Sequence, residues 1–322
     1  MTPMSKDIVF MFPGQSSRYP EMFERVLTLS ARVNDPILDE AAEILGSDPR
    51  ADYLADAPDL FSTNQSVQVG VFLTSHLHLA QLRAEGVVAQ ASLGLSLGEY
   101  NHLVEIGVLS FGDALRLVQA RGAAYDLGPR GAMAAVSPIG VDDLRDVVTR
   151  ASSHGSLEIT VYNSPTRHVL GGERAAVDAA LALLEDEYFV LGKLIEHDVP
   201  MHSSLFTEVA ARFRPTLVAV PWRAGQGAYR PNADARSIVR PTAAELVDCL
   251  TRHVYQPVRW RESLELVCRT SPRARLVEVG PGSVLYNQVG LDWLPPHSRH
   301  RTDRGEDLPA WFGPLAEELS RD

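Results

Sequence analysis

A serine between two glycines is the first candidate for chemistry in this chain. The stretch "GLSLG" at residues 94–98 has the spacing Gly-x-Ser-x-Gly, with Ser96 at its centre. This spacing is typical of a nucleophile elbow, a sharp turn from strand to helix that exposes the serine hydroxyl. A serine hydroxyl is a weak nucleophile at neutral pH, so it needs an adjacent base and fixed donors for the oxyanion. The backbone N–H of Leu97, directly after the serine, is placed to be one such donor.

The elements around this turn fit an elbow. The apolar run "GVVAQASLGL" before it is typical of a buried strand, and "LGEYNHLVEIGVL" after it has helical spacing. Another strand followed by a Pro-Gly turn is predicted at "DIVFMF", and a strand and turn at "ARLVEVGPG". Strands alternating with helices indicate an α/β fold.

The segment 131–198 has its own order of elements. Strands are predicted at "GAMAAVS", "LEITVYN", "RHVLGG" and "FVLGKLIE", and helices at "GVDDLRDVVTRASS" and "RAAVDAALALLEDEY". The resulting order β-α-β-β-α-β is that of a ferredoxin-like unit. We therefore expect a large α/β-hydrolase-like domain, made of residues 1–130 and 199–322, with an inserted ferredoxin-like small domain over residues 131–198.

Composition excludes several classes of protein. The 322 residues carry a net charge of −11, which disfavours nonspecific binding to nucleic acid. The two cysteines, Cys249 and Cys268, lack metal-ligand spacing and are expected to be free thiols. No segment has the length of a membrane span, and the N-terminal apolar stretch is too short for a signal peptide. We therefore expect a cytoplasmic protein without a metal ion or a redox cofactor.

Eight motifs, taken together, resemble those of one family. They are "FPGQSS" at 12–17, "GLSLGEY" at 94–100, "RLVQARG" at 116–122, "GAMAAV" at 131–136, "VYNSP" at 161–165, "VPMHSSLF" at 199–206, "YQPVRW" at 255–260 and "EVGPG" at 278–282. In order and spacing the chain resembles the malonyl-CoA:acyl carrier protein transacylase family, which includes the acyltransferase domains of polyketide synthases. The resemblance covers nearly the whole chain.

The resemblance implies a catalytic role for several residues. Ser96 matches the acylated nucleophile, and His202 matches the general base and acid, whose partner is the main-chain carbonyl of His253. Gln15 matches the residue that completes the oxyanion site beside the Leu97 N–H. The implied reaction is a ping-pong exchange, in which an acyl group passes from a thioester to the serine and then to the thiol of a carrier protein.

The resemblance also implies residues that bind the acyl group. Arg121 matches the arginine that pairs with the free carboxylate of a malonyl group, for which a bidentate guanidinium is well suited. Gln65 and Asn163 match polar positions in the cleft. Leu95 stands where the family usually has histidine, and Met201 replaces the usual residue before the catalytic histidine. These two departures predict an unchanged reaction type with an altered substrate.

Three functions remain open at this level. The favoured interpretation is a stand-alone, trans-acting acyltransferase of polyketide or antibiotic biosynthesis, which moves a non-malonyl unit, such as an aminoacyl group, between carrier proteins. The alternative is malonyl transfer from CoA to an acyl carrier protein, which Arg121 favours. The third is an acyl hydrolase, which has no use for a residue that binds a carboxylate.

Contacts with the carrier protein are expected on a basic surface. Carrier proteins present an acidic helix beside their phosphopantetheine, so arginines near the cleft are candidates for docking. The candidates are Arg150, Arg167, Arg299 and Arg301, with Phe206 as an apolar contact beyond His202.

Overall fold

The protein consists of two sheets with helices packed around them. A computed structural model describes residues 7–271, 273–290 and 293–321. Its strands are β1 (Ile8–Phe12), β2 (Ala91–Gly94), β3 (Ala132–Val136), β4 (Leu157–Tyr162), β5 (His168–Gly172), β6 (Lys193–Glu196), β7 (Ala228–Tyr229), β8 (Ile238–Val239), β9 (Arg275–Glu278) and β10 (Ser298–Arg301).

The α-helices connect and cover these strands. They are α1 (Met22–Leu27), α2 (Ala31–Leu45), α3 (Pro49–Asp52), α4 (Asn64–Ala84), α5 (Gly98–Glu105), α6 (Phe111–Asp126), α7 (Val141–Ala151), α8 (Arg174–Tyr188), α9 (Thr207–Val218), α10 (Ala243–Tyr255), α11 (Trp260–Thr270), α12 (Val284–Gln288) and α13 (Leu308–Ser320). Short 3-10 helices lie at Gln15–Ser17, Ser152–His154 and Ser204–Phe206.

The larger sheet is parallel and has the strand order β10-β9-β1-β2. Every residue of β1 is buried, as expected for a central strand that is covered on both faces. Its odd-numbered residues pack into the main apolar core, and its even-numbered residues pack into a second core that includes α13. Phe12 of β1 lies beside Gly94 of β2, so the turns that follow these two strands meet at one edge of the sheet.

The smaller sheet has the order β4-β5-β3-β6, and its pairs of strands are antiparallel. Along β3, Ala132, Ala134 and Val136 pack in one apolar cluster with residues of α7 and α8. Met133 and Ala135 alternate with them and therefore face the other side. That other face is the one that lines a cavity next to Ser96.

The expected fold class is confirmed, because the protein has a parallel sheet covered by helices together with a unit of β-α-β-β-α-β order. The domain boundaries at residues 131 and 198 stay a prediction. The strand expected at "FVLGKLIE" begins only at Lys193, because Phe189 has a φ of 55° and Leu191 is 75% exposed. Strand β10, "SRHR", was not predicted because it has no apolar alternation.

Two further expectations concern cysteines and membranes. Cys249 and Cys268 are free thiols, and burial raises the pKa of each to about 11. None of the helices in the described ranges is long and apolar enough to cross a bilayer.

Candidate active site

The turn after β2 places Ser96 in a conformation that few residues adopt. Ser96 has a φ of 51°, in the left-handed region that non-glycine residues seldom occupy. A Cβ on Gly94 would lie 2.0 Å from the backbone of Gly98, and a Cβ on Gly98 would lie 2.1 Å from the Phe12 carbonyl oxygen. Both glycines are therefore required by close approach of the backbone. Ser96 thus sits at a strand-to-helix elbow, as its spacing predicts.

The substitution Gly98→Ala is expected to destabilise the protein severely. The added methyl group would meet backbone atoms that no side-chain rotation can move, and overpacking of this kind costs about 1–3 kcal/mol or more. Gly313→Ala in α13 is the matched control, because nothing lies within 4 Å of its added Cβ. Because Gly313 precedes Pro314, the usual gain of alanine over glycine in a helix is offset, and the stability of this variant should change far less than that of Gly98→Ala. Urea unfolding of both variants measures the difference, and equal midpoints would contradict the elbow geometry.

The hydroxyl of Ser96 lies next to an imidazole. Ser96 Oγ is 2.7 Å from His202 Nε2, and both residues are buried. The Nδ1–H of His202 donates to the main-chain carbonyl of His253 over 2.8 Å. This second bond fixes the tautomer, so Nε2 presents a lone pair to the hydroxyl. The structure therefore brings together three groups that lie far apart in the chain and that the family resemblance predicts at one site.

Burial keeps the His202 imidazole neutral. Desolvation lowers its pKa from 6.5 to about 3, and the positive charge of Arg121 acts in the same direction. The hydrogen bond to the His253 carbonyl opposes this shift only in part. A neutral imidazole can accept the proton of the Ser96 hydroxyl, which is what a general base must do.

The acylation rate of Ser96 should therefore hardly change between pH 8 and pH 5. A base is active only when it is unprotonated, and a lowered pKa moves the loss of activity to more acidic solution. An exposed histidine would instead lose half its activity near pH 6.5. Single-turnover acylation by an activated ester, followed by intact mass, measures the profile. Circular dichroism at each pH serves as the control for folding. A pH–rate profile with its midpoint near 6.5 in folded protein would contradict the lowered pKa of His202.

Two residues expected at the oxyanion site lie beside Ser96. Gln15, in the 3-10 helix after β1, lines the same cavity as Ser96. Its side-chain amide donates to Glu196 over 3.0 Å, and Glu196 is also paired with Arg18 at 2.9 Å. Among the described residues, no backbone hydrogen bond occupies the N–H of Gln15 or of Leu97. These two N–H groups are therefore available as donors.

Arg121 of α6 is a fully buried cation next to the hydroxyl. Its Nη1 donates to Gln68 Oε1 over 2.7 Å, and its Nη2 lies 3.4 Å from Ser96 Oγ. The guanidinium stacks on the ring of Tyr125, 4.4 Å from the ring centroid. Within the described part of the chain, no carboxylate oxygen lies within ion-pair distance of it, and its Nε has no hydrogen-bond partner. A buried charge without a counter-ion is unfavourable, so this position is suited to an anionic ligand.

Gln65 does not line the cavity next to Ser96, and its role in substrate binding stays a prediction. Its backbone N–H binds the carboxylate of Asp126, and the residue lines a separate groove with Phe61. Gln68, one turn further along α4, takes the place beside Arg121. A signal was present, because Gln68 is a polar residue within the otherwise apolar run "VQVGVFL".

The cavity next to Ser96 has a volume of about 210 Å³ and lies between the elbow and the small sheet. Leu95, Asn163 and Met201, which the sequence analysis placed at the substrate, all line it. Asn163 Oδ1 is buried and has no hydrogen-bond partner among the residues that the structure describes, so it can accept a hydrogen bond from a bound molecule. The remaining walls are mainly apolar and include Met133, Ala135, Val161, Val169, Ile195 and Val284.

One of the expected contacts with a carrier protein, Phe206, is wrong, and a second, Arg150, lies away from the cavity. Phe206 is completely buried against Tyr125, so it offers no surface to a partner. Arg150 lies on α7, on the face of the small sheet opposite the cavity, and is paired with Glu187 on the neighbouring helix. Its guanidinium is therefore paired with a neighbouring carboxylate and faces away from Ser96, and its contact with a carrier protein stays a prediction.

The other expected contacts are exposed or partly exposed. Arg299 and Arg301 both stack on the ring of Tyr286 in α12, with the guanidinium carbons 4.4 and 5.1 Å from the ring centroid. The same short helix contributes Val284 to the cavity wall. Arg167 follows the β4 strand, and its backbone carbonyl binds the N–H of Asn163 at the cavity. None of these three arginines has an ion pair among the described residues.

Comparison with known proteins gives a consistent result. Residues 9–291 match the family described as "Acyl transferase domain". The malonyl CoA-acyl carrier protein transacylase of Bacillus subtilis is 30% identical over 296 residues, which are 89% of this chain and 90% of that relative. The solved structure of MCAT from Streptococcus pneumoniae aligns with a TM-score of 0.84 and 28% identity, over 97% of this chain and 99% of that one. An acyl-carrier-protein S-malonyltransferase from Burkholderia pseudomallei gives a TM-score of 0.85 and 27% identity, over 95% and 99%.

Proposed function

Since the chain belongs to the acyl transferase domain family, we propose that it transfers a malonyl-type acyl group from CoA to an acyl carrier protein through an ester on Ser96. The observation that carries this proposal is Arg121, a buried cation that lies 3.4 Å from the serine hydroxyl without a carboxylate partner among the described residues. A malonyl group on Ser96 would bring a carboxylate to this cation, and a charge-assisted pair of hydrogen bonds would form.

The reaction proceeds in two symmetric halves. His202 takes the proton of Ser96 as the oxygen attacks the thioester carbonyl, and the N–H groups of Leu97 and Gln15 stabilise the oxyanion. The carbon–sulfur bond then breaks, and the thiol leaves with the proton from His202. In the second half the pantetheine thiol of a carrier protein gives its proton to His202 and attacks the ester carbonyl. The bond between the acyl carbon and the Ser96 oxygen then breaks, and His202 returns the proton to that oxygen. The His253 carbonyl holds the imidazole in the required tautomer throughout.

The malonyl assignment reverses the preference drawn from the sequence alone. The relatives with 30% and 28% identity are named for malonyl transfer or as MCAT, and Arg121 fits that substrate. A non-malonyl acyl unit moved between carrier proteins is the second candidate, since Leu95 and Met201 make the wall beside Ser96 apolar. A polyketide pathway and a cytoplasmic location stay predictions.

Intact mass of the protein after incubation with acyl thioesters tests the proposed function. Malonyl-CoA, acetyl-CoA and an aminoacyl carrier protein are offered separately. A stable adduct of malonyl mass on Ser96 that is passed to a holo carrier protein supports the proposal. Labelling only by the carrier-bound aminoacyl group supports the second candidate. Rapid release of free acid from every donor indicates a hydrolase and contradicts both.

The arginines next to α12 are proposed to dock the carrier protein. Reversing both charges, Arg299→Glu with Arg301→Glu, should raise KM for the carrier protein about tenfold, because docking relies on a basic patch beside the cavity. Acylation of Ser96 by a pantetheine thioester, which lacks the phosphates of CoA, should stay within about twofold of the unchanged protein. Arg150→Glu, on the far face of the small sheet, is the control and should leave both rates unaltered. Equal KM values in the two variants would contradict this docking surface.

A further inference from the structure

A buried asparagine from a distant part of the chain holds the backbone of the elbow. Asn232 Oδ1 accepts a 2.7 Å hydrogen bond from the Ser96 N–H, and its Nδ2 donates a 2.7 Å bond to the Gly94 carbonyl. The two bonds bridge the turn, from the last residue of β2 to the serine. One side-chain amide thus fixes the backbone on both sides of Leu95.

The asparagine is itself held rigidly. Its backbone N–H donates to Glu99 Oε2 over 3.2 Å, and its carbonyl accepts from the Arg259 N–H over 2.9 Å. The other carboxylate oxygen of Glu99 accepts from the hydroxyl of Tyr229, and all of these groups except Arg259 are buried. Burial raises the pKa of Glu99 to about 8, and the hydrogen bonds from Tyr229 and Asn232 oppose the rise. The amide therefore has little freedom to follow a moving elbow.

The elbow needs such a restraint. A non-glycine residue with a positive φ persists only where the surrounding structure over-determines it, and Ser96 has a φ of 51°. If this residue relaxed, its Oγ would leave the 2.7 Å contact with His202 Nε2, and the N–H of Leu97 would turn with it. A displacement of about 1 Å at a reacting group costs on the order of 100-fold in rate.

We propose that Asn232 is a positioning residue for the nucleophile. It acts through the backbone of Ser96, and it is not among the residues that line the cavity. The inference rests on the proposed function only in that Ser96 must be the nucleophile. It requires neither a malonyl group nor a carrier protein.

The rate at which a fluorophosphonate probe labels Ser96, followed by intact mass, tests this role. In that reaction the serine oxygen bonds to phosphorus, fluoride leaves and His202 takes the proton, so elbow geometry sets the rate without any acyl specificity. Asn232→Ala should be labelled about 10- to 100-fold more slowly than the unchanged protein. Rates are corrected for the folded fraction by circular dichroism.

The matched control is Asn34→Ala. Asn34 is 1% exposed, donates to the Val26 carbonyl over 3.0 Å and accepts from Gln81 Nε2 over 2.9 Å. Asn34→Ala therefore loses two buried side-chain hydrogen bonds, as Asn232→Ala does, but at a position away from the elbow. Its labelling rate should remain that of the unchanged protein even where its thermal stability falls.

A second variant gives a readout that a purely structural role would not change. In Asn232→Asp the neutral carboxylic acid can accept from the Ser96 N–H and donate to the Gly94 carbonyl, whereas the carboxylate cannot donate. Burial beside Glu99 raises the pKa of such a carboxyl group, so both forms should be reached in neutral solution. The labelling rate relative to the unchanged protein should fall about tenfold between pH 5 and pH 9.

The outcomes separate this inference from the proposed function. Asn232→Ala labelled at the unchanged rate, or slowed no more than Asn34→Ala, overturns the positioning role while the proposed function stands. The positioning role is also overturned if Asn232→Asp is labelled at the rate of the unchanged protein at every pH. An unchanged protein that is labelled no faster than His202→Ala overturns the nucleophile assignment and, with it, both proposals.

Discussion

Ser96→Ala should form no acyl-enzyme with any thioester, and His202→Ala should acylate at least about 1,000-fold more slowly than the unchanged protein. The serine variant removes the hydroxyl oxygen that lies 2.7 Å from His202 Nε2. The histidine variant keeps the hydroxyl but leaves no base for its proton, since the Nε2 of His202 is the group in contact with it. Intact mass after single-turnover incubation measures both rates. A residual adduct on Ser96→Ala would show that the acyl group is held elsewhere.

The chain offers a matched control for this pair. Ser92 Oγ and His102 Nδ1 also lie 2.7 Å apart, and both residues are buried. His102 Nε2 accepts the N–H of Arg230, and Ser92 lies within β2 rather than on the elbow. Neither residue lines the cavity. Ser92→Ala should therefore acylate at the unchanged rate, and a loss equal to that of Ser96→Ala would contradict the assignment of the site.

The elbow was predictable from sequence because local sterics determine it. Gly94 and Gly98 are required by backbone contacts of 2.0 and 2.1 Å, so their spacing around Ser96 carries the information about the turn. The position of His202 is not determined locally. It lies 106 residues from the serine, and only the family resemblance linked the two.

The errors at the site have a common physical origin. A motif assigns a residue to an element, whereas its contacts depend on which face of the element turns inward. Gln65 and Gln68 lie on the same helix, three residues apart, and only Gln68 touches Arg121. Phe206 follows His202 closely in sequence, but its ring packs on Tyr125 in the core.

The largest omission lies in a segment without periodicity. Asn232 is in the Pro- and Gly-rich stretch after α9, which reads as a connection because it has no helical or strand pattern. Its contact with Ser96 spans 136 residues of sequence, and no local rule predicts such a pairing. The irregular sequence of a loop therefore gives no indication that one of its side chains holds the elbow.

Arg121→Ala should lower the rate of malonyl transfer about 100- to 1,000-fold and leave acetyl transfer almost unchanged. The malonyl carboxylate would enter a buried site without its counter-ion, and loss of one partner of a buried pair costs about 3–5 kcal/mol. An acetyl group has no carboxylate, so it loses nothing when the cation is removed. Arg121→Lys keeps the charge without the planar guanidinium, and its malonyl rate should lie between those of the unchanged protein and Arg121→Ala.

Competition between malonyl-CoA and acetyl-CoA for Ser96, resolved by intact mass, gives the ratio of the two rates in one sample. The unchanged protein should prefer malonyl, and Arg121→Ala should prefer acetyl.

Gln68→Ala is the control for the position of the guanidinium, because it removes the 2.7 Å hydrogen bond to Arg121 Nη1 while leaving the charge in place. It should weaken the malonyl preference less than Arg121→Ala does, by about 10-fold and at most about 150-fold, since one hydrogen bond to a charged group contributes about 1.5–3 kcal/mol. If Arg121→Ala lowers the malonyl and acetyl rates equally, the cation stabilises the elbow and does not bind the substrate. Transfer of a non-malonyl acyl unit would then be favoured, because such a unit needs only the apolar wall formed by Leu95 and Met201.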